Sequence, residues 1–312
     1  MLMIKNFTSI FWTNTDASTN QLYTYFGIAA GCILFLVIFF TYYFSKKYRA
    51  KQPDELPEQK EINHKFELFI LILAICITAF FLIMSINTMQ QIQDIPENPK
   101  PDLVITGHQW WWEAKYPQSG VLTANEIHIP VGKRILLEVN SADVIHSWWV
   151  PALGRKIDMI PGLKNYIWLY ADKPREYLGA CSEFCGIEHA RMRIRVVADT
   201  EEDFKKWTES QLEPVITQAT PLFDKGKALF EQKTCTNCHG INGTPFSENI
   251  GPNLTHFGSR KRFLSDMKPV TRENLKEWLT NPQNVKPGVK MPNFIFNPDE
   301  IEALTEYIYN LK

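Results

Sequence analysis

Cys235-Thr-Asn-Cys238-His239 sets two thiols and an imidazole side by side. Two thiols at this spacing can add across the vinyl groups of a haem, and the histidine that follows becomes the proximal iron ligand; this is the c-type attachment pattern. The competing reading is a Cys-x-x-Cys redox pair. The adjacent histidine and the helical, non-βαβ surroundings oppose it. The iron needs a sixth ligand. Met291 lies in Gly288-Val-Lys-Met-Pro-Asn-Phe294, a loop before the last helix, with Met267 and His256 as rivals.

A second cluster is Cys181-Ser-Glu-Phe-Cys185-Gly-Ile-Glu-His189-Ala-Arg-Met192, with His146 upstream in Val-Ile-His-Ser-Trp-Trp-Val-Pro151. Two thiolates, two imidazoles and a thioether on a β framework suit copper. One thiolate, two imidazoles and an axial methionine would make a mononuclear blue-copper site. A second thiolate allows two bridging sulfurs and a pair of copper ions with one histidine each. Two other readings use the same residues: a Cys181–Cys185 disulfide, or a closed Cys2His2 zinc site. Neither uses Met192, and the disulfide leaves both histidines without a role.

These groups need elements to hold them. The chain has 312 residues, enough for two or three domains. With 33 Lys plus Arg against 34 Asp plus Glu, the net charge is −1, which excludes the basic excess of a nucleic-acid binder. Apolar content of 45% excludes a disordered or collagenous chain. Six cysteines in this length do not make a disulfide scaffold. Cys32 and Cys76 fall inside apolar blocks and read as packing residues.

Those blocks are residues 22–44 and about 67–87, each long enough to cross a bilayer core of about 30 Å as a helix. The loop between them carries Lys46, Lys47, Arg49, Lys51, Lys60 and Lys65, whereas only Lys5 precedes the first block. The positive-inside rule puts that loop in the cytoplasm, and both termini and the cofactor segments outside. The first block lacks the basic flank and the small-residue cleavage site of a signal peptide, so it reads as a retained anchor.

After a Pro- and Asn-containing connector at 91–101, residues 103–197 have a β texture. Runs 134–140, 165–170 and 192–197 are β-branched or aromatic with partial alternation. A short amphipathic helix at 201–213 closes this part. Residues 214–221 read as a linker, and helices follow at 222–232, 272–280 and 298–311. The organisation is a multidomain membrane protein: residues 1–98 with a two-helix transmembrane hairpin, an all-β sandwich at 99–213 and an all-α domain at 214–312. The basic run Arg260-Lys261-Arg262 is either a donor-facing patch or a solvated surface.

The pattern Cys-Ser-Glu-x-Cys-Gly-x-x-His-x-x-Met, His-Ser-Trp-Trp-Val-Pro, and Gly107-His-Gln-Trp-Trp-Trp112, behind a two-span hairpin, resembles subunit II of cytochrome c oxidase. The resemblance runs from the first span to about residue 213. It implies a cupredoxin sandwich with a dinuclear copper A centre bound by His146, Cys181, the backbone carbonyl of Glu183, Cys185, His189 and Met192. It also implies a magnesium ion reached by the Glu183 carboxylate and shared with subunit I, and Trp110 as the electron-input aromatic. Lys156 and Asp158 match a motif near the subunit I interface. The second span departs from the family run Leu-Glu-x-x-Trp-Thr-x-x-Pro: here it reads Phe66-Glu67-Leu-Phe-Ile-Leu-Ile-Leu-Ala74. Glu67 aligns with a glutamate at a proton-channel mouth, yet it reads equally well as a boundary charge.

The last part resembles class I cytochromes c, with its attachment motif, long loop, Met-Pro and terminal helix. In that family the proline carbonyl of a loop like Gly251-Pro-Asn-Leu254 orients the proximal histidine. Gly226, Phe230 and Tyr307 match the helix-crossing contact, and Met291 matches the axial methionine. His/Met ligation raises a haem potential, which suits a carrier near the oxygen end of a chain. A cytochrome fused behind copper A resembles the caa-type oxidases. The expected activity is electron relay from a cytochrome or other donor, through haem c and copper A, to subunit I. There oxygen would be reduced to water with proton pumping, beside a subunit III, in a bacterial plasma membrane. Two alternatives are a copper A-bearing subunit of a nitric oxide reductase and a membrane-anchored copper-binding or copper-delivery protein.

Overall fold

The structure is a computed structural model that describes residues 17–50, 52, 63–215 and 220–312. Lys5, Lys51 and Lys60, part of the charge asymmetry read above, lie outside the described residues, as does the middle of the 214–221 linker. The chain divides into two compact units, one running to Asp94 and the other from Ile95 to Lys312.

The first unit holds helices α1 (Ala17–Lys47, 31 residues) and α2 (His64–Ile92, 29 residues). At 1.5 Å per residue each exceeds roughly 40 Å, longer than a hydrocarbon core. Their side chains are apolar all round and exposed, as Phe35, Val37, Leu68 and Ile72 show. A helix of this kind is stable only in lipid or against other apolar helices. Glu67 stands in the first turn of α2, 3.4 Å from His64 and next to the Asn63 cap. A carboxylate there complements the helix N-terminus.

The second unit begins with a β-sandwich. One sheet has the order β3 (Leu122–Ala124), β2 (Trp111–Lys115), β1 (Leu103–His108), β5 (Arg134–Ser141), β8 (Asn165–Tyr170). The other has the order β4 (Glu126–Pro130), β10 (Arg193–Asp199), β9 (Arg175–Ala180). A short hairpin of β6 (His146–Trp148) and β7 (Ile157–Met159) caps one end. Trp112, Trp148, Ile127, Leu137 and Met192 fill the space between the sheets. Burying each such side chain contributes about 1.5–3 kcal/mol. β1 alternates buried and half-buried residues, whereas β5 and β10 are buried almost throughout. The reason in β10 is a second covering layer. Helix α3 (Glu201–Leu212) lays Phe204 and Trp207 beside Tyr116 and His128, and Thr200 caps its start.

The α-helical part holds α4 (Pro221–Gln232), β11 (Arg262–Phe263), β12 (Lys268–Pro269), α5 (Arg272–Thr280), α6 (Pro282–Val285) and α7 (Pro298–Tyr309). Helix α4 crosses α7 at Gly226, where a methyl group would overlap the Ala303 carbonyl and lie 2.8 Å from Tyr307 Cβ. Phe223 and Phe230 pack on the Tyr307 ring at 5.0 and 5.4 Å. A capping box of Asn297 and Glu300 fixes the start of α7.

The run Arg260-Lys261-Arg262 corrects its sequence reading in part. The solvated-surface reading holds for Lys261, which is exposed, and fails for Arg260. Arg260 is buried and donates to the Asn253 and Thr255 carbonyls. Lys261 reaches Glu176 of the sandwich, and Arg262 bonds to Asp266 in its own hairpin.

Candidate metal and haem centres

The antiparallel register of β9 and β10 pairs Ala180 with Arg193, so residues 181–192 form one closed loop between them. The loop is stitched from within. The Cys181 amide donates to the Met192 carbonyl (2.9 Å), the His189 amide to Gly186 (3.0 Å), and Ser182 to the Ser147 carbonyl on β6 (3.1 Å). That last bond ties the loop to the strand bearing His146.

The donor atoms converge. The Cys181 and Cys185 sulfurs are 3.7 Å apart, and both thiols are free and buried. His146 Nδ1 is 3.9 Å from the Cys181 sulfur, and His189 Nδ1 is 3.6 Å from that of Cys185. The Met192 thioether lies 3.8 Å from Cys185, and the Glu183 carbonyl 3.2 Å from Cys181. The ligand atoms of His146, Cys181 and Cys185 fall within 4.8 Å of one another. A closed zinc site would leave Met192 and the Glu183 carbonyl unused. The donor set suits copper, and its two thiolates and two imidazoles would suffice for a pair of ions.

The electrostatics favour a thiolate. The Cys181 thiol is held far below its usual range, first by the hydrogen bond from Cys185, whose own thiol is pushed up by the same neighbour. Burial alone would lower His146; the bonds to Asp143 and Cys181 raise it instead. Asp143 Oδ1 accepts from His146 Nε2 at 2.9 Å, which leaves Nδ1 facing the sulfurs. Such carboxylate–imidazole pairs fix the ligating nitrogen. Burial opposes ionisation of Asp143, but bonds from His146 and the Gln109 and Val144 amides keep it well below the usual carboxylate range. Sequence reasoning missed Asp143. Its only local signal is a carboxylate three residues before the histidine.

Trp110 is buried, and its indole N–H donates to the Cys185 carbonyl at 3.0 Å. Gln109 Nε2, also missed, donates to the same oxygen at 2.8 Å. The Glu183 side chain is exposed, as is the neighbouring Phe184. Lys156 immediately precedes β7, and Asp158 lies within it, paired with Ser147 of β6.

In the helical part, Cys235 opens a short 3-10 turn, and His239 donates its amide back to the Cys235 carbonyl at 3.0 Å. His239 Nδ1 donates to the Pro252 carbonyl at 2.7 Å. The bond fixes the neutral tautomer and leaves Nε2 for iron; burial also lowers this histidine's pKa. A methyl on Gly251 would come within 2.7 Å of the imidazole, so only glycine fits there. Burial pushes the Cys235 thiol up to about 11, so it is a protonated thiol at neutral pH. The residues fit a covalently attached haem. Met291 packs against the core of this domain, and Gln283 Nε2 clamps its loop by donating to the Val289 and Met291 carbonyls. Of the rivals, His256 has a ring nitrogen engaged by the Glu213 carbonyl at 3.2 Å, and Met267 lies in a separate hairpin turn, β11–β12, with its carbonyl on Arg262.

Comparison with known proteins agrees with both centres. Residues 119–199 match the family model described as cytochrome c oxidase subunit II, periplasmic domain, and residues 223–312 match that of cytochrome c. Cytochrome c oxidase subunit 2 of Alkalihalophilus pseudofirmus is 32% identical over 302 residues, covering 94% of this chain and 86% of that protein. The subunit of the same name from Bacillus sp. strain PS3 is 30% identical over 285 residues, covering 85% of this chain and 79% of that one. Among solved structures, the periplasmic domain of subunit II of Bradyrhizobium japonicum cytochrome oxidase is 38% identical with a TM-score of 0.34. It covers 36% of this chain and 95% of that one. The chain is therefore a member of the cytochrome c oxidase subunit II family that carries a cytochrome c domain behind its cupredoxin domain, a two-span membrane protein serving electron transfer in a haem–copper oxidase with copper A and haem c as its cofactors.

Proposed function

We propose that this chain is the electron-input subunit of a proton-pumping terminal oxidase, and that electrons reach it at the haem domain first. When bound, haem c and copper A supply one-electron relay between an external donor and the haem–copper centre of subunit I, where oxygen is reduced to water. His239 and Met291 hold the iron, and Cys235 and Cys238 hold the porphyrin. His146, Cys181, Cys185, His189, Met192 and the Glu183 carbonyl hold the copper pair. The observation that carries this reading is the convergence of those six donors in one loop-and-strand pocket, with neighbouring atoms at 3.2–3.9 Å. A cage whose donors are already placed changes little on redox, which keeps the reorganisation cost of transfer low.

The remaining assignments follow from that frame. The domain limits are 1–98, 99–213 and 214–312. The basic loop between the spans is cytoplasmic, which puts the cofactor domains on the outer side. The exposed Glu183 carboxylate and Phe184 ring form the face toward subunit I, with Glu183 reaching a magnesium ion there. Subunit III completes the core. Glu67, paired with His64 at the start of α2, acts as a helix-boundary charge.

The test uses the purified complex. Metal and haem analysis should give one c haem and two coppers in this subunit, with copper hyperfine splitting spread over both ions. Oxygen consumption should follow addition of a reduced donor. A single isolated copper would refute the dinuclear centre. Consumption of nitric oxide without oxygen uptake would make the chain part of a nitric oxide reductase.

A further inference from the structure

The segment that leads to Met291 touches the copper side at four successive points. Lys286, 2% exposed, donates from Nζ to the Trp110 carbonyl at 2.7 Å. Gly288 lies between the Trp110 ring and Ile187 of the copper loop: a methyl there would be in ordinary contact with Trp110 Cη2 and Cζ3 at 3.6 and 3.7 Å and would crowd Ile187 Cγ2 at 2.8 Å. Val289 packs against the hydrophobic core of the sandwich. Lys290 reaches Asp143 at 3.2 Å, the carboxylate that orients His146. Trp110 is thus held on two sides. Its indole bonds to the Cys185 carbonyl and lies against Gly186 of the copper loop, while its other edge meets the haem-ligand loop.

A second anchor is the β11–β12 turn. Ser265, fully buried, donates to the same Trp110 carbonyl at 2.8 Å and lies 3.4 Å from Lys286 Nζ. Asp266 takes a bond from Arg195 of β10 at 2.6 Å. Leu264, Ser265 and Asp266 all have left-handed φ values of 54°, 56° and 66°. Three such residues in a row are costly for a free loop. Contacts across the seam hold them. Lys286 has its pKa pushed down by burial to about 8, so it still carries an ammonium at neutral pH. A buried ammonium between two oxygens has only that geometry to satisfy it, so it fixes register as well as contact.

We infer that Lys286 is a positioning residue that fixes the haem-ligand loop on Trp110, so that transfer from haem to copper occurs in a seated assembly and not by the search of a tethered domain. This deepens the relay reading and rests on it. One electron leaves the reduced haem and one arrives at the oxidised copper pair, with no proton or co-reactant needed. A corollary concerns the donor: Trp110 is covered by the chain's own haem domain, so an external donor reduces the haem and not the copper directly.

The experiment uses the intact, cofactor-loaded complex with Lys286→Met, Lys286→Arg and the double variant Lys286→Met/Ser265→Ala. Rapid mixing reads the haem-to-copper rate at several viscosities, and amide exchange reads residues 105–112 and 283–290. In the unsubstituted protein the rate should be independent of viscosity. The double variant should lose at least about tenfold in rate, become viscosity-dependent and exchange faster in both segments. Its haem potential and copper spectrum should be unchanged. Lys286→Met should fall between, and Lys286→Arg should keep most of the rate. Unchanged rate and exchange in the double variant would overturn the inference while leaving the relay intact. Were the variants to lose haem, a viscosity-limited rate in the unsubstituted protein would overturn it alone. Failure of the unsubstituted haem to reduce copper at all would sink the relay, and the exchange comparison would still decide the role of Lys286.

Discussion

The copper pocket and the haem pocket solve the same task by different means. In the copper pocket the polypeptide brings the donors together by itself. Five of the six lie on one loop whose ends are locked by the β9–β10 register, and the sixth, His146, is tied in through Ser147 and Asp143. In the haem pocket the polypeptide fixes one proposed ligand well, His239 on the Pro252 carbonyl, and carries the other proposed ligand, Met291, on a separate loop clamped by Gln283. A metal pair is small, so backbone hydrogen bonds can set its cage. A porphyrin is large, and its own plane and two thioether links set the distance between ligands. The copper centre should therefore fail abruptly when one donor is lost, and the haem centre should degrade by steps.

The sharpest way to break that contrast is Cys185→Ser. Cys185 bridges toward His189 and Met192 and takes bonds from Trp110 and Gln109 on its carbonyl. Its loss should abolish the paired centre, with copper content falling to one ion or none and the shared hyperfine pattern gone. Retention of a dinuclear spectrum would show that the sulfur is not a bridge. Next in size is Met291→Leu. The thioethers at Cys235 and Cys238 should keep the haem attached, while the redox potential falls because the thioether ligand that raises it is gone. Redox titration of the intact complex reads this, and an unchanged potential would move the sixth ligand elsewhere.

The parts of each site that the sequence reveals are those where chemistry is local. The copper loop packs its donors within a dozen residues, and the haem motif within five, so residue type and spacing suffice. The strands at 134–140 and 165–170 and the helices at 201–213, 272–280 and 298–311 are legible from β-branched content and apolar spacing, to within a residue or two of their ends. What hides is orientation supplied from afar. Asp143, Gln109 and Gln283 are ordinary surface residue types, and each matters because of the oxygens or nitrogens it meets in three dimensions. Lys286 meets Trp110 across 176 positions of sequence. Arg260 looks like part of a basic patch because the Asn253 and Thr255 carbonyls that accept its bonds give no local sign of being available to it. The burial of Arg195 on the outer face of β10 is equally hidden, since Asp266, which covers it, lies 71 positions further along the chain.

A smaller and more discriminating change is Asp143→Asn. The amide keeps the shape and loses the charge that holds His146 Nε2–H, and it also loses its partner Lys290. Outer partners of metal-bound histidines typically contribute about 10–100-fold in affinity. Copper should be released to a chelator that much more readily, with the paired spectrum kept at saturating copper. The haem should be unaffected in attachment. Equal copper retention in both proteins would show that the loop alone holds His146, and that the copper cage is even more self-contained than the contrast supposes.

The smallest expected effect lies where the two regions meet, in a cleft lined by Glu126, His128, Trp207, His256, Arg260 and Lys312. His128 stacks on Trp207 at 4.3 Å, bonds to Asp199 at 2.6 Å and lies 3.7 Å from Glu126. Glu126 in turn accepts from the Lys261 amide of the haem domain at 3.0 Å. Burial would lower His128, but its bond to Asp199 and the neighbouring Glu126 carboxylate outweigh that and raise it. Burial would raise Glu126, but the His128 imidazole beside it and the bond from the Lys261 amide, with Arg260 nearby, lower it. The His128 contribution is then fully present below its ordinary value of 6.5 and is lost as pH rises through the raised folded value. The Glu126 contribution is present above 4.5 and is lost as pH falls through the depressed one. His256, lowered by burial, gives the opposite slope to His128 below 6.5, so the informative quantity is the difference between two proteins. Thermal loss of the copper absorbance, followed from about pH 6 to about pH 8.5, should come at progressively lower temperature in the unsubstituted complex. His128→Asn should start lower at the acid end and show a flatter profile, the two curves meeting as the histidine deprotonates. Parallel curves across that range would mean that the imidazolium does not hold this seam, and that the two regions are joined through Trp110, the 265–290 segment and the bonds of Lys261 to Glu126 and Glu176.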